Sequence, residues 1–153
     1  MKKSKKMILS LMLCLFTLVM LVGCSTSSSK TFTFSVDNGD AIKVSIDTSD
    51  SYNLSSDLPF VISCEGNTLS QGIFIYSEIY EQYVYAAQND DKAVILDSGT
   101  KDGNEYVFWS YNNAEYNYAI RIAGSKTGVL LGNNVSEASA RECFERLTIS
   151  VAD

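Results

Sequence analysis

The sequence predicts an α+β fold: a mostly antiparallel sheet with two helices packed against it. Three observations predict it. Short runs of alternating apolar and polar residues, bounded by Asn, Asp and Gly turns, recur from Phe32 to Val151. Two stretches, after Ser77 and after Ser136, instead space their apolar residues at helical intervals. No repeat and no second linker interrupts Lys30 to Asp153, so residues 31–153 read as one α+β domain of modest core.

The elements follow in order. Phe32, Phe34 and Val36 alternate with Thr33 and Ser35, and Ile42, Val44 and Ile46 alternate with Lys43 and Ser45. Asp37-Asn38-Gly39-Asp40 between them signals a hairpin. A two-residue Asn38-Gly39 turn would oppose Phe34 to Lys43 and mix the faces, whereas a three-residue loop with Gly39 left-handed sets Phe34 by Ile42 and Phe32 by Val44. The three-residue loop is therefore expected. A polar loop, Thr48 to Asp57, then leads to strands at Phe60–Cys64 and Gly72–Tyr76.

Ser77 offers an N-cap for a helix to about Gln88, with Ile79, Tyr80, Tyr83, Val84 and Ala87 as its apolar stripe. Asn89-Asp90-Asp91 suits the negative end of a helix dipole poorly, which predicts fraying there. A three-stranded meander follows at Ala93–Ser98, Glu105–Tyr111 and Glu115–Ala123. Two-residue turns at Asp102-Gly103 and Asn112-Asn113 would set Leu96, Trp109 and Tyr116 side by side on a core face. Val94, Val107, Tyr111, Tyr118 and Ile120 would share that face, leaving Ile95, Asp97, Tyr106, Phe108, Ser110, Asn117, Ala119 and Arg121 opposite. After a strand at Gly128–Leu131, Ser136 caps the last helix, whose Ala140, Cys143, Phe144 and Leu147 form its buried stripe. A strand at Thr148–Val151 ends the chain.

The charges are unevenly placed. Lys2, Lys3, Lys5 and Lys6 precede a weakly polar run from Met7 to Val22, and no acidic residue occurs before Asp37. A basic segment followed by an apolar one reads as an export signal. The run ends in Leu21-Val22-Gly23-Cys24, which resembles the lipobox of bacterial lipoproteins. The resemblance implies a signal peptide over 1–23, cleavage before Cys24, diacylglycerol on Cys24, and attachment to the outer face of the cytoplasmic membrane. An uncleaved N-terminal anchor is the alternative, and either places the domain outside that membrane. Residues 24–30, the lipidated cysteine and a Ser-rich stretch, would be a short tether. Beyond residue 23 remain eight basic against eighteen acidic side chains, a formal charge of −10. Such a domain is repelled by phosphates, which excludes nucleic-acid partners, and leaves the lipid as its hold on the membrane.

The order of elements, from opening hairpin to a C-terminal helix running into a last strand, is similar to that of PsbP-like α-β-α sandwich domains. That resemblance covers roughly residues 30–152 and implies a sandwich whose members mostly bind partners and do not catalyse. It carries over no ligand residue.

Candidate chemistry is sparse. With no histidine in the chain, Ser-His-Asp and Cys-His nucleophiles and histidine-ligated metals are excluded. Cys14 falls in the signal segment, leaving Cys64 and Cys143 as an inward-pointing pair, bridged in an oxidising compartment or independent buried thiols. Neither suits a metal or a catalytic thiol, so no cofactor and no metal is expected. Tyr106, Phe108, Asn117 and Arg121, on the mixed face of the meander, are the candidate ligand surface, the alternative being burial beneath the second helix. The acidic loops match no calcium-loop spacing, and no pair of acids stands out for glycoside chemistry, which needs two carboxyls about 5–10 Å apart. The expected function is a non-catalytic, lipid-anchored binding protein of the cell envelope, its partner an envelope protein or cell-wall component. A small carboxylate-based cell-wall hydrolase and an immunity or exclusion lipoprotein are the alternatives.

Overall fold

Phe34 stands opposite Ile42 and Phe32 opposite Val44, so the opening hairpin adopts the three-residue loop, with Gly39 at φ 89°. Val36 and Asp40 close that loop: the Val36 amide donates to Asp40 O and the Gly39 amide to Val36 O. The structure is a computed structural model, and it describes residues 28–153. The signal segment, Cys14 and Cys24 lie outside those residues.

The hairpin strands are β1 (Ser29–Ser35) and β2 (Ala41–Asp47). They are followed by β3 (Tyr52–Leu54), β4 (Phe60–Cys64), β5 (Asn67–Tyr76) and helix α1 (Ser77–Asn89). Then come β6 (Ala93–Lys101), β7 (Asn104–Tyr111), β8 (Glu115–Arg121), β9 (Thr127–Asn133), helix α2 (Glu137–Arg146) and β10 (Leu147–Val151). The strands form two antiparallel sheets, a three-stranded β1-β2-β10 and a seven-stranded β3-β4-β5-β9-β8-β7-β6. The fold is thus α+β and mostly antiparallel, with two α-helices among the described residues.

One face of the large sheet packs against α2 and the small sheet, burying Phe34, Ile42, Val44, Phe60, Phe108, Tyr118, Cys143 and Phe144 in one cluster. The other face carries α1, whose Tyr80 and Ala87 pack with Val107, Trp109 and Ala119. The expected stripe of α1 is the one that meets the sheet. Its N-terminus differs from expectation. Tyr76, not Ser77, stands at the N-cap and gives no side-chain bond, and the Ser77 amide donates instead to Lys126 O. At the C-terminus, where fraying is expected from the acidic residues, Asn89 Nδ2 donates to Tyr85 O at 2.7 Å and the Asp90 amide to Ala86 O, supplying the last carbonyls with donors. In α2, Ser136 caps as its position predicts, accepting from the Ser139 amide.

Two further expectations fail. Thr48–Asp57 is not all loop, since Tyr52 and Leu54 are buried on a short edge strand. The meander has only one two-residue turn, Asp102-Gly103, where Lys101 opposes Asn104. The other turn holds Asn112, Asn113 and Ala114, with both asparagines left-handed at φ 53°, and opposes Tyr111 to Glu115. That extra residue turns β8 over relative to β7. Trp109 faces Asn117 and not Tyr116, and Phe108 faces Tyr118. A bulge at Leu96 completes the change by setting Ile95 beside Trp109 and Asp97 beside Phe108. The core face of the meander is therefore Tyr106, Phe108, Ser110, Tyr116, Tyr118 and Ile120.

Candidate functional site

The turned strand decides the fate of the four expected ligand residues. Tyr106 and Phe108 lie beneath α2, and Asn117 and Arg121 lie on the α1 face, so the structure does not bring the four together. Phe108 is fully buried, its ring stacked on Tyr118 and capped by the Arg141 guanidinium at 4.8 Å. Tyr106 is half-buried against Phe144 and donates its hydroxyl to Asp97 at 3.2 Å. Burial, then the Asp97 carboxylate, raises its pKa. The alternative expected for the four, burial beneath the second helix, thus holds for Tyr106 and Phe108 and not for Asn117 and Arg121.

Arg121 is spent on structure. It donates to Glu81 of α1 at 2.8 Å, pairs with Glu105 of β7, and lies over the Tyr80 ring at 4.9 Å. The hydrogen bond to Glu105 holds its guanidinium firmly protonated. Asn117 stands half-buried between Trp109 and Gly132 in the sheet.

The two cysteines are separate thiols. Cys64 Sγ donates to Asp50 O at 3.4 Å, while Cys143 is completely buried in α2 and has its pKa raised by that burial. Between them lies Tyr52, whose hydroxyl is pushed up to about 12 by burial and then by the Glu142 charge. Its ring carries the Arg146 guanidinium at 4.1 Å. Arg146 also donates to Ser49 and Asp50, fastening a turn in which Asp50 and Ser51 are both left-handed. Every donor of that fork has a partner inside the domain, which makes it a clamp between α2 and the β2–β3 connection.

Two larger depressions of about 560 and 500 Å³, lined mostly by polar residues, lie at the Ser28 end beside Arg146 and at the C-terminal end of α1 beside Tyr85, and two smaller ones lie at the hairpin tip. These two, of about 70 and 200 Å³, adjoin and share Val36, Asp37 and Phe74. Leu58, Ile73 and Tyr76 rim them, 55%, 41% and 52% exposed. Phe74, which lines both, is backed by the core: its ring sits 5.4 Å from Phe34 and 5.9 Å from Phe60, and those two rings are 5.9 Å apart. The tip itself is tied to the β8–β9 connection. Asn38 Nδ2 donates to Thr127 Oγ1 at 2.7 Å, and Asp40 Oδ2 accepts from Ser125 Oγ and from the Lys126 amide. Those bonds, the Ser125 hydroxyl first, hold the Asp40 carboxyl below the ordinary carboxylate range.

This rim was not anticipated, although a signal existed. Ile73-Phe74-Ile75-Tyr76 is continuously apolar, so both faces of β5 need cover. Phe74 goes to the core side, while Ile73 remains 41% exposed on the other. Among the described residues no group of three or more acidic or cysteine side chains is placed to hold a metal ion. No protein-family model matches the chain, and neither does any curated protein.

Proposed function

We propose that this is a lipid-anchored binding protein on the outer face of a bacterial cytoplasmic membrane, joined to the bilayer through Cys24 and acting without catalysis on an envelope partner. The observation that carries this is the N-terminal pattern: clustered lysines, an apolar run, then Leu21-Val22-Gly23-Cys24. The position of the first strand supports it, since β1 starts at Ser29, directly beyond a Ser-rich stretch suited to a tether. Of the side chains expected to serve a ligand, Tyr106, Phe108 and Arg121 instead hold elements together, and three of the exposed apolar side chains gather in a shallow rim at the hairpin tip. A rim of that kind suits contact with another protein better than enclosure of a small substrate.

The fold is read here as a relative of PsbP-like sandwiches. Helices on opposite faces of an antiparallel sheet support that reading, with the β1-β2-β10 sheet as an addition beside α2.

Mass spectrometry of the mature N-terminus tests the anchor. The expected result is a chain beginning at a diacylglyceryl-modified Cys24, with Cys24→Ser abolishing the lipid and leaving the precursor uncleaved. An unmodified Cys24, or a mature chain starting elsewhere, would refute it.

A further inference from the structure

We infer that the depression at the hairpin tip docks an extracytoplasmic protein segment of apolar side chains flanked by Lys or Arg, on the side turned away from the bilayer. The inference rests on the lipid-anchor reading for its orientation and on the groove for its chemistry.

The chemistry comes from the rim. Leu58, Ile73 and Tyr76 are three of the large apolar side chains the domain leaves exposed; Leu58 and Ile73 line one of the two adjoining depressions and Tyr76 the other, and the two meet at Val36, Asp37 and Phe74. Asp37 lines it and Asp57 immediately precedes Leu58, both exposed. Among the described residues neither enters an ion pair, whereas eight of the eighteen acidic side chains do, and Asp37 is the one acid that lines either depression. Free carboxylates beside an apolar groove complement a cationic flank on the partner. The core-backed Phe74 and the bonded tip leave little ordering cost on binding.

The orientation comes from chain length. Ser28 is pinned to the far end of the hairpin, its carbonyl accepting from the Thr48 amide at 2.8 Å. From Cys24 to Ser28 the chain reaches about 14 Å at full extension. That keeps the Ser28 end, beside Asp47 and Glu145, near the bilayer. The tip lies a strand's length away, about 20 Å along β1. A lipid surface is thus both distant from the groove and repelled by Asp37 and Asp57.

The test uses full-length protein in phosphatidylcholine nanodiscs and two fluorescent peptides, an Ile/Leu segment flanked by lysines and the same segment flanked by glutamates. The lysine-flanked peptide is expected to bind at least tenfold tighter, and Asp37→Lys with Asp57→Lys should reverse the preference. Leu58→Ser, at an exposed position, should weaken binding without altering the circular dichroism spectrum. In intact cells a photocrosslinking residue in place of Ile73 should give a discrete protein adduct that the charge-reversed variant loses. The same residue in place of Tyr85, exposed on α1, should not. Equal binding of both peptides, equal adducts at both positions, or adducts to lipid alone would overturn the inference. Membrane fractionation of the Cys24→Ser chain reports the anchor separately: a wild-type chain found in the soluble fraction removes the orientation, while the peptide preference still tests the groove.

Discussion

Phe108 and Tyr118 stack across β7 and β8 with ring centroids 4.1 Å apart and 12° between their planes. Phe144 of α2 continues the stack, 4.1 Å from the Tyr118 ring on a plane tilted by 17°. This column joins the large sheet to the second helix. It exists because the turn between the strands, Asn112, Asn113 and Ala114, opposes Tyr111 to Glu115.

Deleting Asn113 would leave Asn112 and Ala114 as a two-residue turn that still closes Tyr111 on Glu115, so the pairing of β7 with β8 and the Phe108–Tyr118 stack should survive. The cost is that of an alanine in a turn favouring positive φ, about 1–2 kcal/mol. Urea unfolding followed by Trp109 fluorescence checks this, and a loss above about 4 kcal/mol would show that the register had not been kept.

The phenylalanine cluster makes a second, local prediction. A Cβ on Gly72 would fall 2.0 Å from Phe60 Cζ, inside a ring that is itself fully buried against Phe34 and Phe74. Gly72→Ala should therefore destabilise by about 2–3 kcal/mol through overpacking. At Gly132 the nearest atom to an added Cβ is Asn117 Oδ1 at 3.5 Å, an ordinary contact. Gly132→Ala should stay within about 0.5 kcal/mol of wild type. Thermal unfolding of the two variants side by side separates a steric cause from a general intolerance of β-carbon in the sheet.

The contrast between the two turns of the meander shows where the sequence was legible. At the first hairpin, burial demands chose the loop, because only one register keeps Phe32 and Phe34 with Val44 and Ile42. In the meander both faces are apolar enough to be cores, since α1 covers one and α2 the other. Tyr and Trp stood on either side, so face coherence could not tell a two-residue turn from a three-residue one. The error then carried directly into the candidate site, which mixed Phe108 and Tyr106 with residues of the opposite face. The edge strand at Tyr52–Leu54 was hidden for a different reason: three residues among Ser and Asp give too short a period to stand out. The helix stripes were legible because helical spacing over three turns leaves one apolar face only.

The cysteines give a prediction that separates two readings left open by spacing. Cys143 is completely buried while Cys64 is partly accessible, and the two sulfurs are unbonded. In native protein a thiol reagent should modify Cys64 and spare Cys143, whose thiolate is further disfavoured by burial. Both should react in denaturant. Intact-mass analysis before and after unfolding gives the count directly, and failure of both to react in denaturant without reductant would show that they had been bridged.

Asp40 gives the domain an acid-sensitive joint. Its carboxyl accepts from Ser125, the Lys126 amide and Thr127, which ties the β1–β2 tip to the β8–β9 connection and stabilises the charged form. Its folded pKa lies below the ordinary 3.8, with the Ser125 bond as the main cause. A depressed carboxyl contributes stability that is fully present above the unfolded value and lost as pH falls through the folded one. Asp40→Asn should therefore lower the melting temperature at pH 7. That difference should hold down to the ordinary carboxylate range, then close as the pH falls from 3.8 toward the lowered folded value. Asp47 is also lowered, by the Ser49 amide, but it titrates alike in both proteins and cancels in the comparison. Melting curves of the pair across the acid range test the sign as well as the size. A gap that stays constant at every pH would assign the loss to packing at the tip and leave the charge no part in it.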